Sequence, residues 1–374
     1  MKLETIAIHA GNKIDADSHA AIQPITLSTT FERGADGGYP GGYIYTRAAN
    51  PNRNSLEQVL QQLEGGADAC AFSSGNAAGS AVFQALEAGS HILAPHDMYH
   101  GLRNQINEVF KDRIQVDYID LTAIHTVKNY IRPNTRLLWI ETPSNPLLKI
   151  SDIQALVAIA KAHHITVVCD NTFATPLFQR PLELGCDMVM HSTTKYLGGH
   201  SDVLGGALIT REKTEFWQKI RNVQELGGAV PAPFDCYMTV RGIKTLPYRM
   251  KAHASNALQF AEYLQKHPAI EKVYYPGLKD HPEFEIAQKQ MKGFGGMVSF
   301  LVKGGAREAL HVVNQVKIFT QATSLGGVES LIEHRASVEG PNTKTPQNLI
   351  RVSVGLENIE DLIEDISQAL QSLK

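Results

Sequence analysis

The chain has 374 residues, of which 43% are hydrophobic and 20% charged, with a net charge of −3. This length exceeds what one small core holds, so two or more packed regions are expected. The near-balanced charge argues against nucleic acid as a partner, the absence of an apolar run of about 18 residues argues against a membrane span, and four scattered cysteines without a CxxC pair argue against a disulfide framework or a cysteine-rich zinc site.

The opening "MKLETIAIHAGNK" lacks the apolar run of a signal peptide, and a cytoplasmic protein with reduced thiols is expected. Residues 1–53 are rich in Gly, Thr and Tyr and weakly periodic, notably in "ERGADGGYPGGYIYTRAANPNR". Such a segment lies over something else, as a lid or as an arm onto a neighbouring subunit. From residue 54 the rhythm is strand, helix, strand. "NSLEQVLQQLEGG" places Leu56, Val59, Leu60 and Leu63 on one helical face, with Gly65 as a stop. Apolar runs at 69–72, 91–94, 136–140, 165–169, 187–190 and 206–210 alternate with helical patterns such as 151–164, capped by Ser151 or Asp152. This alternation predicts an α/β fold with a large, mostly parallel sheet covered by helices over 54–245. After residue 245 the pattern changes: a helix over 246–266, strands near 271–275, 296–302 and 348–355, and a final amphipathic helix carrying Ile359, Leu362, Ile363, Ile366 and Leu370. A smaller C-terminal α/β domain over 246–374 is expected.

Ligands of open parallel sheets collect at the carboxyl ends of the strands, and three elements fall there. In "ACAFSSGNAAG" a strand runs into Ser73-Ser74-Gly75-Asn76 and a helix opens; its N–H groups can hold an anion, or the stretch is a plain strand–helix turn. In "ITVVCDNTFATP" a fully apolar strand ends at Asp170, whose carboxylate needs a cap, a metal or a cationic ligand. In "HSTTKYLGGHSDVLGG" Lys195 follows Ser192 and Thr194 and precedes two glycine pairs. A lysine of lowered pKa is a nucleophile toward aldehydes. A lysine for an aldehyde, hydroxyls and helix N–H groups for a phosphate, and an aspartate for a protonated ring nitrogen together match pyridoxal 5'-phosphate.

These motifs, with "IHAG", "PITLSTTF", "YTRAANPN", "SLGGVESL" and "LIRVSVGLE", give the chain a resemblance over nearly its whole length to the Cys/Met-metabolism (trans-sulfuration) family of pyridoxal-phosphate enzymes. The resemblance implies the aspartate-aminotransferase-like fold type I and a homotetramer built from active dimers. It implies that Lys195 holds the cofactor and shuttles protons, that Asp170 faces the pyridine nitrogen, and that Ser192, Thr194, Gly75 and Asn76 hold the phosphate. Tyr99 would stack on the ring and assist proton transfer. Tyr45 and Arg47 would reach the cofactor of the neighbouring subunit. Arg351, with Ser324, would hold the substrate carboxylate, a group that a guanidinium fork matches. Glu329, in "GGVESL", is shared with γ-synthases and γ-lyases and is carried as a substrate residue. The implied activity is elimination or replacement at Cβ or Cγ of a sulfur-containing amino acid, cystathionine first, with methionine γ-lyase or O-acetylhomoserine sulfhydrylase as the alternative.

The chain also departs from the family pattern. "YHGLRN" stands for the more usual "YGGT", leaving His100, whose default reading is a solvated loop residue. Asn76 stands for a common methionine and Ile44 for an acid. "EHRASVEGP" (333–341) replaces the "HPASMTH" type, with Arg335 and Glu339 read as a surface ion pair. His91, His96 and His100 are too sparsely spaced for a metal site. Two other classes remain open: a nicotinamide dehydrogenase, which needs a glycine fingerprint that "SSGNAAG" does not supply, and a non-catalytic pyridoxal-phosphate-binding protein.

Overall fold

A computed structural model describes residues 1–340 and 343–373. The first sheet contains β1 (Asp68–Phe72), β2 (Ser90–Pro95), β3 (Ile114–Ile119), β4 (Thr135–Glu141), β5 (Thr166–Asp170), β6 (Met188–His191) and β7 (Gly206–Thr210). Its seven strands run in the order β1-β7-β6-β5-β4-β2-β3. Only β7 is antiparallel to its neighbours, as the mostly parallel reading expects. The central strands read as unbroken apolar runs because helices cover both faces. β3 was not foreseen. It lies at the sheet edge, pairs only with β2, and its "IQVDYI" exposes polar side chains between buried Ile114 and Ile119.

The second sheet is formed by β8 (Ile270–Tyr274), β9 (Met297–Val302), β10 (Thr320–Gln321), β11 (Leu331–His334) and β12 (Leu349–Ser353), in the order β10-β11-β12-β9-β8. It is antiparallel except for the short β10–β11 pair. The helix Leu246–Lys266 carries Pro247, whose fixed φ suits a first turn, next to its start and buries Met250, His253, Ala257, Phe260 and Leu264 along one face. Its Arg249 donates to the carbonyls of Tyr196 and Gly242 at 2.8 Å. The bridging helix thereby fixes the chain directly after Lys195.

The helix Pro51–Glu64 sets the start of the large region. Asn50 caps it, Pro51 occupies its first turn, and Gly65 ends it in the left-handed conformation at φ 73°. Leu56, Val59, Leu60 and Leu63 are all buried; each contributes about 1.5–3 kcal/mol by leaving water. The same helix clips the early segment in place. Arg53 donates to the carbonyls of Thr46 (2.7 Å) and Arg47 (3.1 Å), and Asn52 pairs with Pro24 and Thr26.

Glu64, the last residue of that helix, is fully buried between two strand ends. Its Oε1 lies 2.6 Å from Nε2 of His191 and accepts from Nδ2 of Asn171 at 2.9 Å. These residues flank the candidate site at the ends of β5 and β6. Glu64→Ala leaves His191 Nε2 and one N–H of Asn171 without a partner in a closed interior and is expected to cost about 1–3 kcal/mol, read as a lowered apparent Tm; Glu64→Gln, which keeps an acceptor, should cost less.

Candidate active site

The carboxyl ends of the parallel strands and one edge of the second sheet enclose a cavity of about 570 Å³. Among the residues lining it are Gly75, Asn76, Tyr99, Asp170, Ser192, Thr194, Lys195, Ser324 and Arg351. Nine of the expected site residues therefore come together.

Lys195 is the centre of the site. Its Nζ donates to Oγ of Ser324 at 2.7 Å. Burial, reinforced by the positive charge of Arg351, lowers its pKa to about 8. Ser324 takes a positive φ of 89° in a loop that crosses directly over the lysine backbone. Gly326 makes that crossing possible. Its φ is 79°, and a Cβ there would lie 2.6 Å from the amide nitrogen of Tyr196.

Asp170 ends β5 with its side chain buried, accepting from the Thr172 amide at 3.0 Å. Burial pushes its carboxyl above the usual range, and the Thr172 hydrogen bonds and the nearby His191 pull it back only in part. A cationic N–H partner would relieve that penalty. The hydroxyl of Thr172 accepts from the Ser192 amide at 2.9 Å, tying the two strand ends together.

The helix Gly75–Ala85 starts at the cavity wall, capped by Ser74, which accepts from the Ala77 amide. A Cβ at position 206 would sit 2.1 Å from the Ser74 carbonyl oxygen and 2.7 Å from the Gly75 nitrogen. Only glycine leaves that turn its place. Helix N–H groups beside the hydroxyl of Ser192 form a donor set for a phosphate, bordered by Thr194, whose hydroxyl donates to the Gly205 carbonyl at 3.2 Å. The residues present thus fit pyridoxal phosphate: an anion cradle, a carboxyl in need of a cation, and a nucleophilic amine.

Arg351, on β12, is buried. It donates to Oδ1 of Asn145 (3.0 Å), to the Ser324 carbonyl (3.0 Å), and to Oε1 of Glu333 (2.8 Å). Glu333, Asn145 and Glu141 were not singled out from sequence. Buried Glu141 ends β4, and its Oε2 accepts from the Tyr99 amide at 2.7 Å. Burial and the charge of Asp170 hold its carboxyl well above the ordinary range. The only sequence signal was an acid at the end of an apolar strand, the same signal that marked Asp170.

Two default readings are corrected. Arg335 and Glu339 are not a surface pair: Arg335 is 3% exposed and lines the cavity, bonded to both Glu333 and Glu339. His100 is not a solvated loop residue. It lines the cavity, its ring lies 4.8 Å from that of Tyr99, and its Nδ1 is 3.2 Å from Nη2 of Arg335. Pro341, the last residue of that motif, lies outside the described residues. Three other expected residues stand apart from this cavity. Glu329 accepts from the Ser201 hydroxyl and is not in the lining. Tyr45 is exposed, and Arg47 donates to the Glu225 carbonyl at 2.7 Å. Of the remaining histidines, His91 is buried against Thr135 and Asp117. Among the described residues no group of three His, Cys, Asp or Glu is placed to hold a metal.

The neutral amine of Lys195 is the nucleophile, and it is gained as pH rises through about 8, well below the range of an ordinary lysine. Reductive methylation of the cofactor-free protein, followed at Lys195 by mass spectrometry, should therefore accelerate through pH 8 and level off above it. Replacing Arg351 with Met removes a repelling cation and should move that midpoint upward.

The sequence profile of the Cys/Met metabolism PLP-dependent enzymes matches residues 4–371. The chain is 48% identical over 374 residues to cystathionine gamma-synthase of Mycobacterium tuberculosis, covering 98% of this chain and 96% of that one. It is 44% identical over 378 residues to cystathionine gamma-lyase of Dictyostelium discoideum, covering 99% and 97%. The crystal structure of metB from Corynebacterium glutamicum superposes with a TM-score of 0.97 at 42% identity, covering 100% of this chain and 99% of that one. Extent, identity and the fold-type-I architecture agree: the chain belongs to the Cys/Met metabolism family of PLP-dependent enzymes.

Proposed function

We propose that the protein carries out elimination or replacement at Cγ or Cβ of a sulfur-containing amino acid, with cystathionine as substrate or product. The observation that carries this reading is Lys195 Nζ, 2.7 Å from Ser324 Oγ, in one cavity with Asp170, Tyr99 and Arg351. Pyridoxal phosphate, when bound, supplies an electron sink for a carbanion at Cα. The chain supplies everything else. Arg351 orients the amino acid by its α-carboxylate, held for that task by Asn145 and Glu333. Lys195 would hold the cofactor, and its free amine would take the α-proton; its lowered pKa suits it to do so near neutrality. Asp170 would keep the ring nitrogen of the bound cofactor protonated. Ser192, Thr194 and the start of the helix Gly75–Ala85 would hold the phosphate, and Tyr99 would cover the ring. The names carried by the M. tuberculosis and D. discoideum relatives support the choice of cystathionine over methionine.

The wider reading follows the same lines. Residues 1–53 form an arm, 54–245 the cofactor domain and 246–374 the small domain, consistent with one sheet within 68–210 and the other within 270–353. The arm exposes Ile22, Leu27, Ile44 and Tyr45, and nearby surface exposes Leu226 and Phe234. Apolar exposure of this kind supports a homotetramer in which Tyr45 and Arg47 reach a neighbour's site. The four cysteines are free and buried, which supports a cytoplasmic setting. Among the described residues no helix is long and apolar enough to cross a membrane.

Cofactor-loaded protein incubated with L-cystathionine should release 2-oxobutyrate and cysteine, identified by mass spectrometry, and Lys195→Ala should abolish it. Pyruvate with homocysteine would place the cleavage at Cβ instead. Coupling of cysteine to an acylated homoserine would show replacement; no keto acid and no coupling would contradict the proposal.

A further inference from the structure

Beyond Arg351 the cavity wall carries Arg335 and His100, which the proposed reaction does not use. Glu333 Oε1 lies 2.8 Å from nitrogens of both Arg351 and Arg335, so one carboxylate oxygen joins the two guanidinium groups. Arg335 is also held at Nε by Glu339, 2.8 Å away, and at Nη2 by His100 Nδ1. Glu339 in turn accepts from the hydroxyls of Thr343 and Thr345. The wall therefore runs Tyr99, His100, Arg335, Arg351, with Glu333, outside the lining, joining the two arginines.

A guanidinium carries five N–H donors. Three of those of Arg335 are engaged by Glu339, Glu333 and His100, and one N–H on each terminal nitrogen is left over among the described residues. The side chain is almost wholly buried and lines the cavity, so a ligand in the cavity can take those donors. His100 adds a third donor. Arginine cannot accept, so Nδ1 must, and the ring proton of the neutral imidazole falls on Nε2. Burial and the Arg335 charge both favour that neutral form. The tether from Glu339 fixes the direction of the fork. Arg351 is committed to one carboxylate, and Arg335 lies one shared acceptor further along the same wall.

We propose that Arg335, set by Glu339 and flanked by His100, is a specificity-determining residue that binds a carboxylate at the far end of the substrate chain. The site then favours amino acids bearing a distal carboxylate over those with an apolar tail. This inference rests on the amino-acid chemistry proposed for the cavity and names the substrate class within it.

The test uses two six-carbon amino acids without a leaving group, L-2-aminoadipate and L-norleucine, which share a backbone but differ in the distal carboxylate. Calorimetric titration of the cofactor-loaded enzyme should show tighter binding of aminoadipate. In Arg335→Met the ratio of the two Kd values should fall by about 10-fold to 100-fold, the size of a hydrogen bond between charged groups. Arg335→Lys should restore part of it. The double variant R335M/E339Q removes a carboxylate together with its cation, and should show the same loss of preference if the single variant folds poorly. No preference in the wild type, or equal weakening of both ligands in the variants, overturns the proposal. A preserved aminoadipate preference in an enzyme that neither cleaves L-cystathionine nor couples cysteine to an acylated homoserine would overturn the proposed function while supporting the distal site.

Discussion

The structure depends on taking one amine out of water. Lys195 is nucleophilic near neutrality only because two sheets close over it, and because Arg351 places positive charge nearby. Each of these measures is costly by itself. A buried guanidinium needs carboxylate and carbonyl partners, which is why Glu333, Asn145 and the Ser324 carbonyl surround Arg351. The same logic recurs at Asp170 and Glu141, two carboxyls that burial pushes up. The site gathers desolvated ionisable groups, with Arg351 compensated by Glu333 and with Asp170 and Glu141 pushed toward neutrality, and it leaves a place for a cationic ring and an anionic phosphate.

The fold meets this demand by using both sheets. Parallel strands deliver Asp170, Glu141 and, just past β6, Lys195 to one edge, as their common direction requires. An antiparallel sheet then brings Glu333 and Arg351 opposite, paired across β11 and β12 in register. Arg249 and Gly326 lock the lysine segment between the two halves. Neither half holds the site alone.

Much of this was legible in the sequence, and the part that was not has a physical pattern. Asp170 and Lys195 announce themselves locally, each as a polar residue where a buried strand ends. The central strands are visible because burial on both faces makes them apolar throughout, and the helix over 246–266 because one face repeats. β3 escaped because an edge strand alternates polar residues. Arg335 and His100 were misread because they are 235 residues apart in sequence. A charged residue in a loop is solvated by default until tertiary structure supplies its partner. Glu333 was invisible for the same reason, since its task is to be shared by two arginines. Tyr45, Arg47 and Glu329 mark the converse case: their motifs are plain in the sequence, yet within one chain they stand clear of the cavity.

The central claim is that Lys195 is the residue that bears the cofactor. Borohydride reduction of the cofactor-loaded protein fixes an imine as a stable amine, and peptide mass spectrometry then locates it. The account predicts a single phosphopyridoxyl adduct, on Lys195. An adduct on another lysine, or none on a protein that binds the cofactor, would contradict it.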